Sequence, residues 1–93
     1  MKYDVIWTAK FKKDYKKAIK RNFDISELDG IITRLANDES LDKSCDDHAL
    51  KGIWSGFREC HIGFDWVLVY LKDSGVLTLT LIRTGTHTDV FGW

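Results

Sequence analysis

Three histidines, His48, His61 and His87, lie in the second half of the chain, each in a connection or near the end of an apolar run. Arg58, Asp65 and Arg83 accompany them. Histidine is the side chain best suited to moving protons near neutral pH, and arginine carries a fixed charge on a planar fork that fits phosphate. Trp66 and Phe91 add aromatic faces on which a splayed base can stack. These are the parts of an RNA-cleaving site that works without a metal. One group accepts the 2′-hydroxyl proton, another protonates the leaving 5′-oxygen, and a cation neutralises the phosphorane between them. Each part also has a plainer reading. Arg83 and Asp65 can pair between neighbouring strands, Trp66 can belong to the core, and Phe91 can tuck the C-terminus onto a sheet.

Cys45, His48, Cys60 and His61 are the ligand types of a tetrahedral zinc site, and Cys45-x-x-His48 has suitable spacing. Cys60 and His61 are adjacent in an expected strand, however, so their side chains leave opposite faces. No metal and no cofactor is therefore expected, and the two cysteines read as free thiols in a reducing compartment.

The elements that must position these groups follow from periodicity. Residues 3–7 form a short strand rich in aromatic and β-branched side chains. Thr8 then caps a helix whose apolar stripe is Phe11, Tyr15, Ala18 and Ile19, with lysines on the remaining surface. The helix ends at Asn22 and Phe23. Asp24 and Glu27 have capping-box spacing, Phe23 and Leu28 suit a hydrophobic staple, and Leu28, Ile31, Ile32, Leu35 and Ala36 form the buried face of a second helix. Residues 37–56 read as an ordered loop containing one helical turn. Strands are expected at 57–62 and 65–72. A hairpin turn at Asp73-Ser74-Gly75, with its positive φ at Gly75, leads to a strand at 76–82. In that last strand Leu77, Leu79 and Leu81 face the core and Thr78 and Thr80 face water. The fold class is α+β in β-α-α-β-β-β order: a helical hairpin packed on one face of a mostly antiparallel sheet, the other face partly open.

The whole chain, residues 1–93, is expected to form one domain. No run resembles a signal-peptide core or a membrane span, so a cytoplasmic protein without membrane contact is expected. The formal charge of zero gives no whole-molecule attraction to nucleic acid. The distribution differs: Lys12, Lys13, Lys16, Lys17 and Lys20 share the first helix, and acidic residues gather between Asp38 and Asp47. A local basic surface attracts phosphate even when the total balances.

The stretches "DHALKGIWSGFRECHIGFDWVLVY" and "RTGTH", with Phe91 after them, resemble the YafQ branch of the RelE-like toxins of bacterial type II toxin–antitoxin systems. The likeness spans nearly the whole chain. It implies a ribosome-dependent endoribonuclease that cuts translated mRNA, restrained by a RelB- or DinJ-like antitoxin and reaching operator DNA only through that complex. It implies catalytic roles for His48, His61, Asp65, Arg83 and His87, and substrate contacts from Trp66 and Phe91; Arg58, by its own fixed charge, is also expected to contact substrate. Lys12, Lys13, Lys16, Lys17 and Lys20 would meet ribosomal RNA phosphates. The alternative is a ribosome- or RNA-binding inhibitor of translation that does not cleave. Gly85 is expected to let the chain turn so that His87 and Phe91 fold back over the sheet.

Overall fold

A computed structural model describes residues 1–92; Trp93, to which the sequence assigns no role, lies outside them. The elements follow in the order β1 (Asp4–Trp7), α1 (Ala9–Lys20), α2 (Ile25–Ala36), β2 (His48–Ala49), β3 (Arg58–Gly63), β4 (Trp66–Asp73), β5 (Thr78–Gly85) and α3 (His87–Phe91). Short 3-10 turns at Lys43–Cys45 and Gly52–Trp54 flank β2. The α+β expectation holds, with a small strand and a C-terminal helix added. The sheet order is β1-β5-β4-β3-β2. Only the β1–β5 pair is parallel, and the other three are antiparallel. No helix is long and apolar enough to cross a membrane among the described residues.

The helices form where their caps and stripes place them. The Thr8 side chain accepts the Phe11 N–H at 3.2 Å, and Asp24 accepts the Ser26 N–H at 3.2 Å, each satisfying a donor that the first turn leaves orphaned. Phe11, Ala18, Leu28, Ile32, Leu35 and Ala36 close on one sheet face against Cys60, Trp66, Leu68, Tyr70, Leu79 and Leu81. Ile19, expected in the stripe, is half-exposed instead. It is the last apolar residue of α1, next to the buried Ala18.

Two local readings are corrected. In the β4–β5 connection the positive φ falls on Leu77, at 55°, and not on Gly75. The Asp73 carboxylate accepts the Gly75 N–H at 2.9 Å, which closes the turn through a side chain. Leu77 therefore lies before β5 and is exposed, leaving Leu79 and Leu81 as the buried pair.

A second irregularity decides the site. Tyr70 opposes Leu81 and Val69 opposes Arg83, so Ile82 is an extra residue in β5. Such a bulge inverts the in–out alternation beyond it. Thr84, which strict alternation from Leu81 would place with Ile82, instead opposes Leu68 on the helical side. Arg83 moves to the opposite side. That side carries a smaller cluster of Val67, Val69 and Val90, flanked by Leu50, Trp54, Phe57, Ile82 and Phe91. The face expected to be open is thus partly roofed by the 50–57 loop and α3.

Candidate active site

The period of a strand puts Glu59 and His61 on one face and Arg58 and Cys60 on the other. The pairing agrees: Glu59 opposes Val69 and His48, and His61 opposes Val67. Arg58 opposes Tyr70, and Cys60 opposes Leu68, on the helical side. His48 and His61 therefore rise on the face away from the helices.

The tail supplies the third histidine. Thr86 caps α3 by accepting the Asp89 N–H at 3.1 Å, while Asp89 accepts the Thr86 N–H at 3.0 Å, a reciprocal capping box. Gly85 permits this close return. Its φ is +151°, and an added Cβ would lie 2.9 Å from the Asp89 Cβ, too near for any other residue. Residues His87–Phe91 accordingly form a helix whose first residue, His87, is aimed back at the sheet.

The three rings then stand in a row. Ring centroids are 6.4 Å apart for His48 and His61, and 5.4 Å apart for His61 and His87. Phe91 continues the row 6.3 Å from His87 and packs edge-on to Trp54 at 5.3 Å. Asp65 accepts from the His87 N–H at 3.1 Å and lies 2.7 Å from its Nδ1. A carboxylate can only accept here, so Nδ1 carries the hydrogen and the lone pair of the neutral ring lies on Nε2. His87 in turn holds the Asp65 carboxyl below its ordinary range, through the ring bond first and the N–H second.

The sequence reading missed Glu59. Its carboxylate is buried, 3.1 Å from Nε2 of His61 and 3.5 Å from Nε2 of His48. On its other side the His48 ring bonds the Asp46 carbonyl through Nδ1 at 2.6 Å. Glu59 orients two histidines at once. The signal was present in "ECH", since residues i and i+2 of a strand share a face.

Not every expected site residue joins this row. Trp66 is 5% exposed, packs against Phe23 and donates its indole N–H to Thr84 Oγ1 at 2.9 Å. It is a core residue and cannot stack on substrate. Arg58 points to the helical side, where it donates to Asp47 at 3.2 Å and Tyr70 at 3.4 Å. It does not reach the histidines' face. Arg83 is largely enclosed: Nε donates to Asp14 at 2.6 Å, and Nη2 to Asp14 at 3.3 Å and to the Asp89 carbonyl at 3.2 Å. The simple Arg83–Asp65 pair is also absent, because Asp65 serves His87 and Arg83 serves Asp14. Lys12, Lys13, Lys16, Lys17 and Lys20 are exposed on α1, with Lys17 3.6 Å from Asp89.

The four-residue zinc set does not converge. Cys60 is fully enclosed in the core, where burial pushes its thiol far upward and away from the thiolate a metal needs. Among the described residues, Glu59, His61 and His87 instead present donor atoms within 4.8 Å of one another and could hold an ion.

Asp89 links the basic helix to the tail. It binds Arg21 at 2.7 Å and caps Thr86. Burial opposes its charge, but the Thr86 N–H and Arg21 outweigh burial and hold the carboxyl at about 2. A depressed carboxyl contributes stability that is complete above its ordinary value of 3.8 and disappears as the pH falls through about 2. Acid titration followed by circular dichroism is expected to show α3 loosening in that window. The Asp89→Asn variant should lose this component of the acid transition and be less stable than the parent at pH 7.

The fold is shared with known proteins. Residues 3–92 match the family model described as "Bacterial toxin of type II toxin-antitoxin system, YafQ". The mRNA interferase toxin YafQ of Escherichia coli K12 is 37% identical over 90 residues, covering 96% of both chains. The crystal structure of YafQ from E. coli BL21(DE3) superposes with a TM-score of 0.91 at 35% identity, over 97% of this chain and 99% of that one. YafQ in the E. coli DinJ–YafQ complex gives a TM-score of 0.88 at 36% identity, with the same coverage. The family model, the curated relative and the solved structures agree over nearly the whole chain: this chain belongs to the YafQ family of bacterial type II toxin–antitoxin toxins.

Proposed function

We propose that this toxin is an mRNA interferase that cleaves translated mRNA on the ribosome by acid–base chemistry. The observation that carries the reading is the row of three histidines, two oriented by the buried Glu59 and the third by Asp65. In the reaction a base removes the 2′-hydroxyl proton, the 2′-oxygen attacks phosphorus and the P–O5′ bond breaks. A protonated nitrogen delivers its proton to O5′. The products are a 2′,3′-cyclic phosphate and a 5′-hydroxyl end. His87 is the principal proton carrier through Nε2, with His48 and His61 as its partners and Asp65 fixing its ring. Phe91, beside His87, is the substrate-facing aromatic.

Arg83 contributes differently from a free phosphate clamp. Its charge is balanced by Asp14, and it braces α3 through the Asp89 carbonyl. The site thus holds little cationic charge of its own. Positive charge resides on α1, where Lys12, Lys13, Lys16, Lys17 and Lys20 would grip ribosomal RNA in a salt-sensitive manner. This division suits a toxin that depends on the ribosome to present mRNA in line for attack, with positioning as the dominant catalytic contribution. A DinJ-like antitoxin is the cognate inhibitor, and operator DNA is reached through that complex. The cytoplasm, where ribosomes translate, is the place of action.

Primer extension on translated mRNA, with and without ribosomes, tests the reading. New 5′-hydroxyl ends are expected only when toxin and ribosomes are both present. Intact mRNA accompanied by arrested translation would instead establish an inhibitor that occludes without cutting.

A further inference from the structure

Among the described residues, one aromatic ring is completely exposed. Phe64 has a relative exposure of 102%, so no part of the fold uses its side chain. Leaving a phenylalanine wholly in water forgoes the burial that usually places this residue inside. Its position is informative. Gly63 pairs with Trp66, so Phe64 and Asp65 alone form the tip of the β3–β4 hairpin. Asp65 takes a positive φ of 47° and binds both the N–H and the ring of His87. The tip is therefore tied to the start of α3, and the exposed ring is the immediate neighbour of the carboxylate that orients the main proton carrier.

We infer that Phe64 is a substrate-positioning residue, a platform on which a base of the mRNA beside the scissile phosphate stacks. This inference rests on the interferase reading above. Three observations support it. The hairpin's tryptophan is unavailable, because Trp66 is held in the core by Thr84 and Phe23. Phe91, the other aromatic of the row, is partly enclosed against Trp54. Cationic charge at the site is already balanced, as Arg83 is held by Asp14. A site with little free charge must hold its nucleotide by other means, and stacking on an aromatic face supplies binding that tolerates any base. A tip of two residues, pinned through Asp65, fixes the base of that platform relative to His87.

The test uses purified toxin on ribosomes programmed with a defined mRNA. For Phe64→Ala, the concentration giving half-maximal cleavage rate is expected to rise about 10- to 100-fold. Its melting temperature should match the parent, because nothing packs on the ring. Phe64→Trp should retain the parent's potency, and Phe64→Leu should fall with Phe64→Ala, since leucine keeps apolar area but offers no π-face. Equal potency of Phe64→Ala and parent, or rescue by leucine, would overturn the inference. A second arm separates it from the cleavage reading. The His87→Ala toxin is bound to ribosomes carrying uncut mRNA with 2-aminopurine in the A-site codon. Quenching of its fluorescence is expected, and loss of the quench on adding Phe64→Ala. If the parent never cuts yet this Phe64-dependent quench is seen, the cleavage reading fails and the stacking role stands. No Phe64-dependent quench would refute stacking.

Discussion

His87→Ala is expected to lower the single-turnover rate of mRNA cleavage on ribosomes by about 10²- to 10⁴-fold, the usual contribution of a positioned acid or base. Growth inhibition should disappear with it. The effect is large because the ring has no substitute in place: His61 stands 5.4 Å away, centroid to centroid, and is already engaged by Glu59. Stability should change little, by about 1 kcal/mol, because the ring's bond to Asp65 lies at the surface and the N–H bond survives the substitution. The double variant sharpens the assignment. If Asp65 acts by holding the ring, removing Asp65 from His87→Ala toxin should cost almost no further activity, whereas independent roles would multiply. A purified His87→Ala protein that cuts at the parental rate would remove His87 from the chemistry altogether.

The second large effect concerns stability, at a residue far from the histidines in sequence. Asp14 is 8% exposed, although it sits on the lysine-rich helix. Its carboxylate receives Arg83 through two nitrogens and also accepts the buried Thr84 N–H at 3.2 Å. Asp14→Ala strands a largely enclosed guanidinium and a buried amide together, which should cost about 3 kcal/mol. In a domain this small that lowers the melting temperature by about 10–20 °C. The exposed neighbour Lys13→Ala should change stability by less than about 0.5 kcal/mol. Thermal melts of the two proteins side by side make the comparison, and a loss below about 0.5 kcal/mol for Asp14→Ala would show that Arg83 finds other partners. Activity should fall as well, because Arg83 also braces α3 through the Asp89 carbonyl.

These two residues illustrate what can be read along a chain. The helices were legible because Thr8 and Asp24 are capping residues and the apolar stripes repeat at helical spacing. The strands were legible from alternation and β-branching, and the three histidines became candidates through their chemistry together with the family likeness. Asp14 was not legible: an acid among lysines looks like one more solvated charge. Trp66 misled for the opposite reason. A tryptophan beside an acidic residue suits a substrate platform, but its neighbour Phe64 occupies the tip while Trp66 enters the core.

What the sequence determined by itself was the inventory and its local periods: two amphipathic helices, the main strands, a chemically competent set of histidines and the family likeness. The helices and strands among them depend on residues within a few positions of one another. The tertiary structure alone decided which groups meet. The additional residue at Ile82 reverses the alternation in β5, sending Arg83 to one side and Thr84 to the core. Strand pairing brings Glu59 between His48 and His61, and the return at Gly85 carries His87 to Asp65. Partners separated by 22 or 69 residues are chosen by sheet register and helix docking, and neither is written in any local pattern.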